Sequence, residues 1–113
     1  MRYFVPALLI LALTAPADAA FDGPGTPPTV KEAAGVASAA KDSGAVLEGS
    51  LTRKVKDELY IFQDASGEVL VEIDDDLMAN RSITPDTRVR LKGEVDRKKG
   101  KNLVEVDMLE ILN

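Results

Sequence analysis

The chain has 113 residues, a net charge of -5, and neither cysteine nor histidine. Those two absences exclude a disulfide framework, Ser-His-Asp and Cys-His catalysis, and the favoured ligands of zinc and copper. Only carboxylates remain for a metal, which limits the candidates to hard cations such as calcium or magnesium, and the sequence has no EF-hand loop.

Met1-Arg2 gives a short positive start, and Tyr3 to Ala15 is almost unbrokenly apolar. Ala17-Asp18-Ala19 then places small residues where a signal peptidase reads them. This layout predicts a secretory signal peptide over residues 1–19, cut between Ala19 and Ala20. The competing reading is an uncleaved anchor, but the run is shorter than the about 20 apolar residues a spanning helix needs. With no cysteine to carry a lipid, the cleaved chain is expected to have no membrane tether.

Residues 20–28 carry two glycines and three prolines and are expected to form a flexible leader. One small domain follows, over residues 29–113. Thr29-Val30-Lys31-Glu32 fits a capping box, and Val30, Ala33, Ala34, Ala37 and Ala40 recur at helical spacing. A helix over about residues 30–41 is predicted, weakened by Gly35 and ended by Lys41-Asp42-Ser43-Gly44.

From Ala45 the period changes to two. Ala45, Leu47, Gly49 and Leu51 alternate with polar or exposed positions up to Thr52. Leu59 to Gln63 is β-branched and aromatic, and Asp64-Ala65-Ser66-Gly67 reads as a turn. Val69, Val71 and Ile73 alternate next, then Val89, Leu91, Gly93 and Val95. Val104, Val106 and Met108 alternate in turn, and Leu109, Ile111 and Leu112 close the chain. These are five predicted strands, each with one apolar face. Short turns join the first three and the last two. Only the third-to-fourth link is long, and it carries a short helical stretch at Asp75 to Asn80 with acidic residues at its start. The predicted fold is therefore all-β: a five-stranded OB-fold Greek-key barrel with an N-terminal helix and a short helix between strands three and four. A five-stranded SH3-like barrel competes, but it usually lacks a helix at that crossover.

Six segments carry a resemblance to a known family. They are Phe21-Asp22-Gly23-Pro24-Gly25, Leu59 to Gly67, Val71-Glu72-Ile73-Asp74, Thr84-Pro85, Gly93-Glu94-Val95-Asp96-Arg97 and Val104-Glu105-Val106-Asp107. In order and spacing they resemble the bacterial OB-fold (BOF) family of small periplasmic stress-associated proteins. The resemblance covers essentially the whole chain after the signal peptide. It implies an OB-fold, a periplasmic location, a role in envelope stress tolerance, and ligand binding without catalysis or cofactor. One departure is visible: relatives often carry Trp in the crossover, where this chain has Met78, so no role for that aromatic carries over.

OB-folds hold ligands with strands two and three and with the turns after strands one and four. Here those turns are read as Arg53-Lys54-Val55-Lys56 and Arg97-Lys98-Lys99-Gly100-Lys101, which together hold seven of the thirteen cations after Ala19. Both turns are expected to flank one groove, with Arg53, Lys54, Lys56, Lys98, Lys99 and Lys101 as candidate ligand contacts. The alternative is that these residues only solvate hairpin tips. Glu48, Glu72 and Asp74 alternate with core positions and are expected on the groove floor, or simply on a solvated sheet face. Asp74-Asp75-Asp76 is read as capping the crossover helix rather than caging an ion, because adjacent strand residues point apart. Asp64 is read as a turn residue bonded to its own backbone, and Gly49 and Gly93 as barrel bends.

An acidic floor with few aromatics does not suit nucleic acid, which needs a positive groove and stacking platforms. Tyr60 and Phe62 share one parity and are expected in the core. The expected partner is a polar envelope ligand, either a glycan fragment or a charged peptide, because carboxylates accept from hydroxyls and pair with amines. The second reading is an interaction module for another envelope protein, with no small ligand. The sequence marks no nucleophile and no acid–base pair.

Overall fold

A computed structural model describes residues 28–112. The predicted signal peptide, and the leader up to residue 27, lie outside the described residues. Five strands follow in order: β1 Gly44–Lys56, β2 Leu59–Asp64, β3 Gly67–Ile73, β4 Val89–Lys98 and β5 Lys101–Ile111. They close into a barrel in the order β1-β2-β3-β5-β4. Every pairing is antiparallel except β3 with β5, which pair in parallel over Val71↔Val104 to Ile73↔Val106. This is the predicted five-stranded OB barrel.

Closure depends on how β1 is shared. Its first half pairs with β4 from Gly44↔Glu94 to Gly49↔Val89, and its second half pairs with β2 from Ser50↔Gln63 to Lys56↔Leu59. The register with β2 shifts twice, so Thr52 and Val55 are extra residues on β1. Each bulge adds bend and twist, which carries the strand from one wall of the barrel to the next. The ladder therefore runs four residues beyond the predicted end at Thr52. Arg53, Lys54 and Lys56 stand on a strand, not in a loop, which corrects the sequence reading.

Phe62 fills the centre of the barrel, fully buried with Leu47, Val71, Ile73, Leu91, Val95 and Val104. Tyr60 joins it, as its parity predicted. Two glycines make room. A Cβ on Gly49 would overlap the Gln63 carbonyl oxygen and come within 2.8 Å of the Phe62 ring. A Cβ on Gly93 would overlap the Glu105 carbonyl oxygen and lie 2.9 Å from the Val106 Cα. Both positions serve close strand approach, as expected of barrel bends.

The β4–β5 ladder shifts between Lys92↔Met108 and Gly93↔Val106, leaving Asp107 as an extra residue. That bulge reverses the parity of β5. Val106 and Leu109 point inward, whereas Met108 is 53% exposed. The simple alternation that placed Met108 beside Val104 and Val106 thus fails one residue past Val106.

The predicted helix over residues 30–41 is instead a six-residue 3-10 helix, Ala33–Ser38. Val30 is taken into a parallel bridge with Ala45: the Val30 amide donates to the Gly44 carbonyl at 2.8 Å, and its carbonyl accepts from Val46 at 2.9 Å. The capping box does not form. Glu32 takes the N-cap position with extended backbone and no side-chain bond. The β2–β3 turn supplies the cap instead, as described below. Val36 and Ala33 are the buried anchors, while Ala34, Ala37 and Ala40 are exposed. At the other end, the Asn102 Nδ2 donates to the carbonyls of Val36 at 2.9 Å and Ala39 at 3.0 Å.

The crossover carries a short helix, α1, Asp75–Met78. Asp74 occupies its N-cap, and its carbonyl accepts from the Leu77 amide at 2.9 Å. Its carboxylate makes no capping bond, so that part of the expectation is not met. Leu77, Met78 and Ile83 pack against the core, and the Arg81 guanidinium donates to the Leu109 carbonyl at 2.7 Å. These contacts fix where the crossover lies relative to β1.

Candidate functional site

A cleft of about 860 Å³ lies over the outer face of β1 and β2. Ser50 and Gln63, directly opposite each other, form its floor. The β2–β3 turn with Asp64 and Ser66 forms one wall, and Asp86 and Arg88 of the crossover form the other. Glu48 closes one end. Hydroxyls, an amide, carboxylates and one guanidinium thus converge on a single concave surface.

Asp64 holds the turn wall rigid. Its Oδ1 accepts from the Ser66 amide at 2.8 Å and from the Ser66 hydroxyl at 2.6 Å. This is the predicted bond to its own turn. Its Oδ2 also accepts from the Ala33 amide at 2.9 Å, while the Ser66 Oγ accepts from the Ala34 amide at 2.9 Å. Burial pushes the Asp64 carboxyl up, but bonds from the Ser66 hydroxyl and from the Ala33, Ser66 and Gly67 amides outweigh it and hold it below its ordinary value. Gly67 closes the turn with φ of +147°, the positive φ its place predicted.

A smaller cleft of about 170 Å³ adjoins the first, sharing Thr52 and Pro85 with it. Leu51, Tyr60, Met78 and Ile83 give it an apolar lining, with Arg53 and Lys54 at its edge. The Lys54 Nζ sits 5.8 Å from the Tyr60 ring centroid, a cation–π distance.

The remaining predicted site residues are dispersed. Glu48 accepts from the Arg90 Nε at 2.9 Å and lies 3.8 Å from Arg88, while Arg90 also reaches Glu110 at 2.7 Å. Those carboxylates hold the Arg90 guanidinium above its ordinary value. Glu72 accepts from the Lys98 Nζ at 2.8 Å, and Glu105 stands 3.8 Å from the same ammonium. The bond to Glu72 raises Lys98. Glu72 and Asp74 line a separate recess of about 210 Å³ with Glu105 and Asp107.

The expected single acidic floor is therefore two sites. Glu48 belongs to the β1–β4 side and Glu72 with Asp74 to the β3–β5 side, and β1 and β3 are not neighbours in the barrel. Lys98 is engaged by Glu72 rather than open at a rim. Lys99 lies in the β4–β5 turn at φ of +53°, and Lys101 begins β5. Among the described residues, no group of three or more acidic side chains is placed to hold a metal ion, and no helix is long and apolar enough to cross a membrane.

Sequence reasoning missed Ser50, Gln63, Asp86 and Arg88. The outward parity of Ser50 and Gln63 was readable from their alternation with Leu51 and Phe62. The crossover wall was not, because its position follows from Ile83 and Arg81 docking on distant strands.

Known proteins match this architecture. An OB-fold protein of Pseudomonas aeruginosa named calcium-regulated OB-fold protein CarO is 37% identical over 94 residues, covering 83% of this chain and 81% of that protein. Protein YgiW of Escherichia coli is 39% identical over 70 residues, covering 62% of this chain, and the matched stretch spans only 52% of YgiW. The solved structure of ygiW from E. coli superposes with a TM-score of 0.70 at 28% identity, covering 80% of this chain and all of that one. The S. pombe Stn1–Ten1 complex shares the fold alone, with a TM-score of 0.58 at 15% identity over 79% of each chain. The model of the bacterial OB fold (BOF) protein family matches residues 12–111, and the chain belongs to that family.

Proposed function

We propose that this protein is an exported, periplasmic binding module that takes a polar envelope ligand, a cell-wall glycan fragment or a charged peptide, and does no chemistry on it. The observation that carries the reading is the 860 Å³ cleft over Ser50 and Gln63. Its hydroxyl, amide, carboxylate and guanidinium groups are the partners that sugar hydroxyls and peptide termini require. Family membership supports binding over catalysis, since OB domains work by presenting a barrel face and its loops. Export rests on the signal-peptide pattern at residues 1–19, and a part in envelope stress tolerance rests on the family resemblance. The calcium-regulated relative adds calcium as one candidate stress signal.

The binding test is an amide-shift titration of the purified protein with muropeptide fragments and with acidic and basic peptides. Saturable shifts around Ser50, Gln63 and Asp86, lost in the Gln63→Ala variant, are expected. Absence of saturable binding to all three probes would sink the reading. Export is tested separately by fractionation and N-terminal sequencing, with Ala20 as the expected first residue.

A further inference from the structure

We infer that the cleft over Ser50 and Gln63 selects cationic ligands, those that present two or more primary ammonium groups. The inference rests on the reading of that cleft as the ligand site and names the chemistry that it takes. Four carboxylates line the cleft, Glu32, Glu48, Asp64 and Asp86, against one guanidinium, Arg88. Two of the four are committed within the fold. Both oxygens of Asp64 accept hydrogen bonds from the Ala33 amide and the β2–β3 turn. Glu48 is held by Arg90 at 2.9 Å and stands 3.8 Å from Arg88. Glu32 and Asp86 differ. The Glu32 side chain makes no capping bond, and Asp86 is engaged through its backbone amide, which donates to the Thr84 hydroxyl at 3.2 Å. Among the described residues neither carboxylate forms an ion pair. Both are exposed. They belong to different parts of the lining, Glu32 to the N-cap of the 3-10 helix and Asp86 to the crossover, and the floor carries the Ser50 hydroxyl and the Gln63 amide oxygen. An ammonium has three donors and no acceptor, so a carboxylate with neutral oxygens nearby is its matching partner.

The surroundings do not reverse the balance. Glu68 stands directly opposite Gln63 and adds a carboxylate beside the floor. Lys31, Arg53 and Lys54 flank the cleft but line neighbouring recesses. Arg90 is bound by both Glu48 and Glu110. A concave surface with one prevailing sign of charge concentrates ligands of the other sign.

Other ligands match less well. Of those proposed above, only a positively charged peptide meets the charge of the cleft; acidic peptides and carboxylate-bearing muropeptides meet like charge. No aromatic ring is among the described lining residues, so nothing there stacks on a sugar or a base. Ser50 and Gln63 pair with each other in a closed barrel, so recognition falls to side chains rather than to an open strand edge. The acidic side chains are not grouped to hold a metal ion. The cleft also lies apart from the turns after β1 and β4, since no described residue of either turn lines it.

The test is an amide-shift titration of the purified protein with spermidine, with its triacetylated form, and with trilysine blocked at both ends. Spermidine and trilysine are expected to bind saturably, to shift amides around Ser50, Gln63 and Asp86, to compete with each other, and to weaken as salt is raised. The tighter of the two identifies the source, a free oligoamine or a lysine-bearing chain, and either order supports the inference. Triacetylspermidine keeps the chain without the charge and is expected to cause no shift. Glu32→Gln and Asp86→Asn are each expected to weaken spermidine by about threefold to fivefold, with urea midpoints close to wild type because both side chains are exposed. No saturable amine binding, equal binding of the acetylated form, indifference to both variants, or displacement of spermidine by an equal concentration of calcium would overturn the inference. If muropeptides or acidic peptides shift Ser50 and Gln63 while both amines fail, the inference falls and the cleft reading stands. If nothing shifts them, both fall.

Discussion

Asp64, on the β2–β3 turn, accepts a hydrogen bond from the Ala33 amide across 31 positions of sequence. A carboxylate that closes its own turn thereby also caps the N-terminal 3-10 helix. Asp64→Ala is expected to destabilise the protein by about 1–2 kcal/mol, the range for losing a helix cap. The folded carboxyl is held below its ordinary value, so its contribution is present above the unfolded carboxylate range and is lost as pH falls through the lowered folded value. Urea midpoints of wild type and variant should differ at neutral pH and converge in strong acid. A gap that persists in acid would show that Asp64 acts through packing rather than charge.

Gly93→Ala tests barrel closure. Its Cβ would overlap the Glu105 carbonyl oxygen, a backbone atom that cannot rotate away. A loss of at least about 2 kcal/mol is expected, measured by urea denaturation. Gly67→Ala is a useful comparison, because no atom lies within 4 Å of the added carbon and any loss there reports only the strain of its positive φ.

Glu105 should behave in the opposite sense to Asp64. Burial pushes its carboxyl up, and the carboxylates of Asp96 and Glu72 push the same way, against a downward pull from Lys98. A raised folded value means that the folded state binds the proton more tightly than the unfolded chain. Stability then rises as pH falls through that value, and the gain is complete below the ordinary carboxylate range. Glu105→Gln is therefore expected to be more stable than wild type at neutral pH, with the advantage vanishing in acid. Midpoints measured across that pH range decide it, and a variant less stable at neutral pH would contradict it.

Asn102→Ala is expected to cost about 1–2 kcal/mol, since it removes the side-chain donor that the Ala39 carbonyl and the Val36 carbonyl share at the end of the 3-10 helix, leaving Val36 only the Ala39 amide. Hydrogen exchange should show faster amides across residues 33–39 while the β1–β4 ladder stays protected. Uniform acceleration across the barrel would mean that the helix is not a separable unit.

Period-two alternation made the barrel legible, because each strand buries one face and the register leaves few other options. The short turns and the single long crossover placed the OB topology on top of that. What alternation cannot show is a bulge. Thr52, Val55 and Asp107 carry no local signal, yet they lengthened β1 past its predicted end and turned Met108 outward. The first helix was misjudged for a related reason. Its alanines favour a helix, but the Val30 bridge to Ala45 and the long-range cap from Asp64 leave room for only a short one. The candidate site suffered most. Charge clusters at Arg53 to Lys56 and Arg97 to Lys101 were visible, but the pairing of Lys98 with Glu72 depends on which strands meet. So does the separation of Glu48 from Glu72.

The tie between the N-terminal 3-10 helix and its two anchors also sets an order of assembly. The helix precedes every strand in the chain, yet Asp64 and Ser66 hold one end and Asn102 of β5 holds the other. The first element made is thus the last that can be seated, because its docking ground does not exist until β2, β3 and β5 have met. Protection of the Ala33 and Ala34 amides should accordingly appear after that of the strands in a pulse-labelled refolding experiment, which makes these two amides a readout of barrel completion.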